Sequence, residues 1–308
     1  MISNKVTHLI TTIERGGAEK QLLTLASEQV QSGLNVFVLY LKGKPDLRNE
    51  FEVAGVEVNN LLVGKSFLKQ IFLLSKYLRK NPSPVHAHLP KSELLAAIVV
   101  TKKYLVFSRH NSEAFWPGSP RIISNLLSKY VCKRASQGIA ISNAVKSYLI
   151  TRGEIPNGYT IDVVYYGFQK DTSTNAAGLG LITNIMNGQS SNYKIGTIGR
   201  LVPQKDYPTL LNAFSNVLKS MPNTDLYVVG EGYLQKDLIE LSKSLGIKDQ
   251  VHWIGKTEYI REFLSKIDLF ILPSKYEGFG LVLLEAMVAK KPIIAANNSA
   301  IPEVLGKS

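Results

Sequence analysis

Apolar runs at 6–13, 36–41, 85–89, 104–108, 138–141 and 161–165 alternate with stretches where apolar residues return every three or four positions, at 18–31, 67–79, 94–100, 121–133 and 144–150. Short β-rich runs separated by helical periodicity are the rhythm of a parallel sheet with helical crossovers. From 170 to 192 Thr, Ser, Asn and Gly dominate and clear periodicity is lost, which predicts an interdomain connection. The rhythm then restarts, with strands at 194–198, 226–229, 251–254 and 268–272 and helices at 207–219 and 234–245. The pattern predicts an α/β protein of two doubly wound domains in tandem, 1–170 and 193–308, joined by a linker at 171–192. At 308 residues, 45% of them hydrophobic, the chain is long enough for two cores of ordinary size.

Charge divides these halves. Residues 1–170 hold 22 Lys/Arg against 11 Asp/Glu, a net +11, and the rest hold 14 against 13, a net +1. Between Lys65 and Arg134 there are 13 basic and 2 acidic side chains, a density that suits an anionic partner such as a membrane surface or a pyrophosphate-bearing acceptor, and equally a solvated basic face. The one cysteine, Cys132, excludes an internal disulfide, fits a reducing compartment and reads as a packing residue. Residues 1–12 are too short and interrupted for a signal peptide, and no later segment reaches the length of a spanning helix. The expected location is cytoplasmic, and no nucleic-acid partner is expected.

The densest chemical signal follows the last strong strand. Leu269–Leu272 stops at Pro273-Ser274 and gives way to Glu277-Gly278-Phe279-Gly280 and then a helical pattern containing Glu285. The first acid lies in a glycine-bearing loop at a strand's carboxyl end and the second about a turn and a half into the next helix, so both are able to face the crevice where open α/β sheets bind ligands. Helix-end and surface acids have the same spacing. Gly199-Arg200-Leu201 and Gln204-Lys205-Asp206 sit between another strand and helix. They bring a forked guanidinium and a compact ammonium to a strand end, a pair suited to a departing diphosphate, although a solvated basic loop reads alike. Gly230-Glu231-Gly232 follows the next strand as either a ligand-hugging loop or a simple turn.

In the first half, Gly16-Gly17 precede a helix, in a tight turn or a close backbone approach to a ligand. The third glycine of a dinucleotide fingerprint is missing, so no NAD is inferred. His110 follows a strand, where it either bonds a sugar hydroxyl or plays a structural part. His86, His88 and His110 lack the cysteine or carboxylate pattern favoured by metal, so no metal is expected. Phe67, Leu68, Ile71, Phe72, Leu74 and Leu78 form an apolar helical face flanked by Lys65, Lys69, Lys76, Arg79 and Lys80. Residues 121–134 repeat the design, with Ile122, Ile123, Leu126, Leu127 and Tyr130 as the apolar side. Each reads as a helix lying on anionic lipid or as an ordinary amphipathic helix covering a sheet.

Together GGAE at 16–19, His110, GRLVPQKD at 199–206, GEG at 230–232, EGFGLVLLE at 277–285 and IPEV at 301–304 resemble the retaining group-1, or GT4, glycosyltransferases of the GT-B fold. The resemblance implies two Rossmann-like domains facing a cleft, a nucleotide-sugar bound mainly by the second and an acceptor by the first. It assigns Glu277 to the donor sugar's hydroxyls and Glu285 to the ribose. Arg200 and Lys205 then neutralise the diphosphate in place of a metal, while His110 and Gly16-Gly17 hold sugar and phosphate from the opposite wall. Gly199, Glu231, Gly278, Phe279 and Gly280 are the remaining donor-side residues. Two departures stand out. Tyr166-Gly167 replaces the usual Asn-Gly, and Ser299-Ala300 replaces paired glycines, leaving less room beside the donor. Relatives also continue well past the Pro-Glu turn, so the second domain is expected to be short of its carboxyl-terminal elements.

The resulting expectation is transfer, with retention, from a UDP- or GDP-sugar to a cytoplasmic-face, lipid-linked glycan acceptor in polysaccharide biosynthesis. Two carboxylates also serve a glycosidase or a nucleotide-sugar epimerase. A non-catalytic protein that binds nucleotide sugar or membrane beside another transferase is the alternative from a different class.

Overall fold

The computed structural model describes residues 4–168, 175–186 and 192–306. Two compact units divide at Gln169 and Lys170.

Unit 1 is built on seven strands: β1 (Lys5–Ile10), β2 (Asn35–Tyr40), β3 (Glu57–Asn59), β4 (Val85–His88), β5 (Leu105–Arg109), β6 (Gln137–Ala140) and β7 (Ile161–Val163). Their order is β3-β2-β1-β4-β5-β6-β7, and every neighbouring pair runs parallel. The helices are α1 (Gly17–Gln31), α2 (Arg48–Val53), α3 (Phe67–Lys80), α4 (Pro90–Val99), α5 (Arg121–Arg134) and α6 (Asn143–Arg152). Local chemistry sets their ends. Ser66 and Ser142 accept from the N–H of Lys69 and Val145 to start α3 and α6, and Gly153 closes α6 in the left-handed conformation. Strand order reverses between β1 and β4, so the loops after these two strands flank the unit's switch point.

Unit 2 contains α7 (Ala176–Met186), β8 (Tyr193–Ile198), α8 (Tyr207–Ser220), β9 (Thr224–Val229), α9 (Gln235–Ser244), β10 (Val251–Gly255), α10 (Ile260–Lys266), β11 (Leu269–Leu272), α11 (Leu281–Val288), β12 (Ile293–Ala295) and α12 (Ile301–Leu305). Its five strands, all parallel, run β10-β9-β8-β11-β12, and the switch point lies between β8 and β11. β9 is buried at all six positions, as a central strand covered on both faces must be.

The reading of 171–192 as a linker requires correction. Residues 176–186 form α7, whose Ile182 and Met186 lie in the unit 2 core with Phe263, Phe270 and Leu283. Asn175 Oδ1 accepts from Gly178 N at 3.1 Å at the helix start, and Asn175 N donates to Glu262 Oε1 at 2.7 Å. The small residues that suggested a loop serve close packing: a Cβ on Gly178 would stand 2.2 Å from the Tyr259 ring. The remainder of that span, 171–174 and 187–191, lies outside the described residues.

α3 buries Gln70 and Leu74, while Leu68 (79% exposed) and Phe72 (61%) stand among the exposed Lys69, Lys76, Arg79 and Lys80, with Lys65 exposed just before the helix. Apolar and basic side chains thus share one outward face. α5 carries this further. Ser124 and Ser128 face inward, where Ser124 Oγ accepts from Trp116 N at 3.1 Å and Ser128 Oγ donates to Glu154 O at 2.8 Å. Ile122 (74%), Leu126 (63%), Ile123 and Tyr130 face out. Cys132 is buried, its thiol pushed up to about 11 by burial.

Candidate active site

The β8 and β11 loops meet at the unit 2 switch point. Lys205 Nζ lies 2.5 Å from Glu277 Oε1, with both side chains largely buried. Neighbouring bonds fix the two loops: Lys275 N donates to Gln204 O at 2.8 Å, Gln204 Nε2 donates to Tyr276 O at 2.9 Å, and Lys275 Nζ lies 3.4 Å from Asp206 Oδ1. The Lys205 stem passes over Gly199, where a Cβ would meet its Cδ and Cε at 3.3 Å. Tyr207 Oη donates to Gly199 O at 2.9 Å, and burial holds that phenol above its ordinary range, so it remains a donor.

The β9 loop is locked to the same edge. Leu201 N donates to Glu231 O and Gly199 N to Val229 O, both at 2.9 Å. Gly230, at φ 134°, leaves no space for a side chain, since a Cβ would stand 2.0 Å from Gly199 O, and one on Gly232 would stand 2.3 Å from Leu201 O. Arg200 is exposed beside this junction, and exposed Glu231 accepts from Lys256 N at 3.4 Å. Gly278 and Phe279 are buried, and Gly280, at φ 92°, starts α11 in the left-handed conformation. Glu285 is half-buried on the second turn of α11. The surroundings of two serines singled out in the sequence were not legible there. Ser299, at φ 52°, donates to Glu277 O at 2.6 Å and accepts from Glu277 N at 3.3 Å. Ser274 Oγ is buried near the loop's start without a hydrogen-bond partner among the described residues.

At the unit 1 switch point Gly16 is the extended residue before α1, and a Cβ there would stand 2.4 Å from Glu19 Oε2. Glu19 Oε1 accepts from Thr12 Oγ1 at 2.6 Å, and the Gln21 amide brackets Gly167, donating to its O at 2.9 Å and accepting from its N at 3.2 Å. Burial, with the Glu19 charge adding to it, keeps the Tyr166 hydroxyl well above the ordinary phenol range. That hydroxyl bonds His110 Nδ1, and His110 Nε2 lies 3.1 Å from His88 Nδ1. Both ring nitrogens of His110 therefore have protein partners, in line with the structural alternative offered for it by the sequence.

His88 Nε2 continues to His8 Nδ1 at 3.0 Å, and His8 Nε2 to Gln29 Oε1 at 2.7 Å. His86 stands alongside, with Nε2 2.7 Å from Ser108 Oγ. Burial pulls His8 and His110 down to about 4 and holds His86 and His88 well below 6.5, so the cluster is neutral at pH 7. Ligand atoms of His8, His86 and His88 lie within 4.8 Å of one another. A cation between His8 Nδ1 and His88 Nε2 would replace the hydrogen bond that joins them, while His8 Nε2 could keep its bond to Gln29. The sequence hid the cluster because His8 stands 80 positions from His88 and meets it only through the β1–β4 pairing.

Next to His110, buried Arg109 is shared by Glu93 (2.6 Å), Glu154 (3.4 Å) and Ser128 (3.1 Å) and stacks over Phe115 at 4.4 Å. Two carboxylates on one buried guanidinium cannot both be fully compensated, and burial lifts Glu93 to about 7. This network anchors the strand end that carries His110.

Fold and site together define an α/β protein of two doubly wound sheets whose candidate ligand loops stand at the carboxyl ends of the strands. Residues 15–170 match Glycosyltransferase Family 4 and residues 185–308 match Glycosyl transferases group 1; the chain belongs to this glycosyltransferase family. Among its relatives, it is 26% identical over 238 residues to a GDP-mannose-dependent alpha-(1-6)-phosphatidylinositol monomannoside mannosyltransferase of Mycobacterium tuberculosis, covering 72% of this chain and 58% of that one. It is 38% identical over 96 residues to N-acetyl-alpha-D-glucosaminyl L-malate synthase of Bacillus anthracis, covering 31% of this chain and 25% of that one. The chain spans between 25% and 66% of the length of such curated relatives. Among solved structures, Anabaena HepE in complex with UDP and glucose shares the fold at TM-score 0.80 and 22% identity, over 97% of this chain and 82% of that one. Sucrose-phosphate synthase from Thermosynechococcus elongatus does so at TM-score 0.78 and 18% identity, over 97% and 84%.

Proposed function

We propose that this chain acts in a retaining glycosyltransferase, moving a sugar from a nucleotide-sugar, a UDP-sugar in preference to a GDP-sugar, to a lipid-linked glycan acceptor at the cytoplasmic membrane face in polysaccharide assembly. The observation that carries the reading is the Lys205–Glu277 pair at the unit 2 switch point. A cation and an acid held in a hydrogen-bonded ion pair on two locked loops match a ligand with a diphosphate and a hydroxyl-rich ring side by side. The family membership and the UDP bound to the HepE relative support the donor class.

In this reaction the bond from the anomeric carbon to the diphosphate oxygen breaks. A bond to the acceptor's hydroxyl oxygen forms on the same face, through an oxocarbenium-like state, and the hydroxyl proton ends on the leaving diphosphate. Lys205 and Arg200 offset the charge that grows on that group, which gives a protein-borne substitute for a metal. Engaging the diphosphate draws Lys205 off Glu277, freeing the carboxylate to accept from the sugar's hydroxyls, while Glu285 takes the ribose.

The mixed faces of α3 and α5 support peripheral membrane contact. Both helices pack on α4, and together they expose Leu68, Phe72, Ile122 and Leu126 beside Lys69, Lys76 and Arg79, the composition that suits an anionic lipid surface. No helix among the described residues is long and apolar enough to cross a membrane.

A thermal-shift panel of nucleotide sugars, followed by assay of free nucleotide with and without acceptor glycan, tests the reading. Stabilisation by one donor and acceptor-dependent nucleotide release are expected. Sugar released from a glycan without nucleotide points to hydrolysis instead, and saturable donor binding with no turnover points to the non-catalytic alternative.

A further inference from the structure

Four of the five histidines of the chain belong to unit 1, and three of them meet on one face of its sheet. We propose that His8, His86 and His88 form a three-imidazole site for a borderline divalent cation, Zn2+ by preference, that ties β1 to β4 at the unit 1 switch point.

The sheet places the three rings. Side chains two apart on a strand point to the same face, so His86 and His88 of β4 share one side, and the parallel register sets His8 of β1 opposite His86. Ring centroids stand 5.3 Å apart for His8 and His86, 5.2 Å for His8 and His88, and 4.1 Å for His86 and His88. One ligating atom from each lies within 4.8 Å of the other two. Tetrahedral zinc, with Zn–N bonds of about 2.0–2.1 Å, holds its donor nitrogens roughly 3.3 Å apart. His8 Nδ1 and His88 Nε2, at 3.0 Å, already stand close to that spacing. The His86 donor has at most roughly 1.5 Å to close, which a ring covers by turning about its side-chain bonds.

Each ring uses one nitrogen outward and keeps the other for the centre. His8 Nε2 faces Gln29 Oε1 at 2.7 Å, His86 Nε2 faces Ser108 Oγ at 2.7 Å, and His88 Nδ1 faces His110 Nε2 at 3.1 Å. All three partners are able to accept an N–H, which selects the tautomers that bare His8 Nδ1, His86 Nδ1 and His88 Nε2. Metal-bound histidines are held in the same manner, the second nitrogen donating to a neighbour that fixes the ring and raises its basicity. Without a cation one N–H fills the contact between His8 and His88; with one, both nitrogens turn lone pairs to the metal.

Three neutral imidazoles with no carboxylate among them suit Zn2+ or another late first-row ion, and not Mg2+ or Ca2+, which take oxygen ligands. Burial keeps the rings neutral at pH 7, the ligating form. Central parallel strands are ordinarily apolar on both faces, so packing gives no reason for three imidazoles on adjacent strands. Along the sequence His86 and His88 group with His110 and show no metal pattern. The structure substitutes His8, 80 positions from His88, and makes His110 the outer partner of His88.

Calorimetric titration of Zn2+ alone into the untagged, chelator-treated whole chain at pH 7 tests the site. One ion per chain and a raised melting temperature are expected. X-ray absorption of the zinc-loaded chain is expected to show three imidazole nitrogens at about 2.0–2.1 Å, and Co2+ to give the visible bands of a tetrahedral site. No binding, an octahedral cobalt spectrum, or an equal rise in melting temperature with Mg2+ overturns the proposal. His86→Phe keeps a ring at this half-buried position, removes a donor and is expected to abolish binding. His252→Ala, which removes the histidine of unit 2, is expected to leave binding whole. Zinc kept by His86→Phe or lost by His252→Ala puts the ion elsewhere and refutes the assignment. Gln29→Leu is expected to raise the Kd for Zn2+ by roughly 10- to 100-fold, the scale for loss of a partner that orients a ligand, and an unchanged Kd contradicts the outward bonding on which the site depends. Should His86→Phe not fold, the absorption and cobalt spectra of the wild-type chain still decide. None of these measurements requires sugar transfer, so failure of the transferase reading and failure of the metal site are separate results.

Discussion

Ser299 holds Glu277 by both ends of its peptide unit, donating to its carbonyl at 2.6 Å and accepting from its N–H at 3.3 Å. Ser299 keeps a left-handed backbone, φ 52°, that a glycine adopts without strain, and uses the side chain a glycine lacks to clamp the acid. Ser299→Ala keeps the strain and loses the clamp. It is expected to destabilise unit 2 by about 1–2 kcal/mol and to lower turnover. Ser299→Gly relieves the backbone and is expected to be the more stable of the two variants. Melting curves that rank them the other way would remove the clamp argument.

Lys205 and Glu277 are expected to act as a unit. Lys205→Ala loses on the order of a hundredfold or more in turnover if it stabilises the departing diphosphate, the scale for one preorganised donor. Glu277→Gln falls as well, and the double variant is expected to be far less damaged than the product of the two. Full multiplicativity in steady-state kinetics means the two residues work independently and the proposed exchange of partners is wrong.

Acid sensitivity follows from the buried imidazoles. His8 and His110 have folded pKa values near 4 against 6.5 unfolded, so between these values the unfolded chain binds more protons and stability rises with pH. Their contribution, on the order of 3 kcal/mol each, is complete above about pH 6.5 and lost towards pH 4. Glu93 runs the other way: its carboxyl, raised from 4.5 to about 7 by burial, makes the folded chain the better proton binder across that range. The several histidines outweigh it. Unit 1 is expected to melt roughly 10 °C lower at pH 4.5 than at pH 7, and His8→Asn to flatten that slope. A melting temperature independent of pH contradicts the neutral cluster.

Vesicle binding probes the outward faces of α3 and α5. Co-sedimentation with anionic vesicles is expected to weaken as salt is raised and when Lys69, Lys76 and Arg79 are neutralised together, and to weaken without a change in salt slope for Phe72→Ser with Leu126→Ser. Equal binding to neutral vesicles rules out the electrostatic part of this account.

Much of the architecture was legible because parallel strands covered on both faces are mostly apolar: the runs in β2, β9 and β11 stand out on composition alone. The three-residue strands β3 and β12 were not read from the sequence. α7 was read as a linker because glycine signals a turn in isolation, whereas Gly178 is there to let Tyr259 approach. The direction of the α5 face was left open by the sequence, since an apolar stripe packs on a sheet or faces out alike, and the structure turns Ser124 and Ser128 inward to serve Trp116 and Glu154.

The residues alone determined the βα rhythm, the basic first half and the acids and cations that stand at strand ends, because each of these is a local property of a short stretch of chain. The tertiary structure decided which of them meet. Lys205 and Glu277 are 72 positions apart and His8 and His88 are 80 apart, and each pair is brought together where strand order reverses, β8 beside β11 and β1 beside β4. Adjacency across a sheet is set by packing and hydrogen bonding of the whole unit, and a linear pattern carries no record of it.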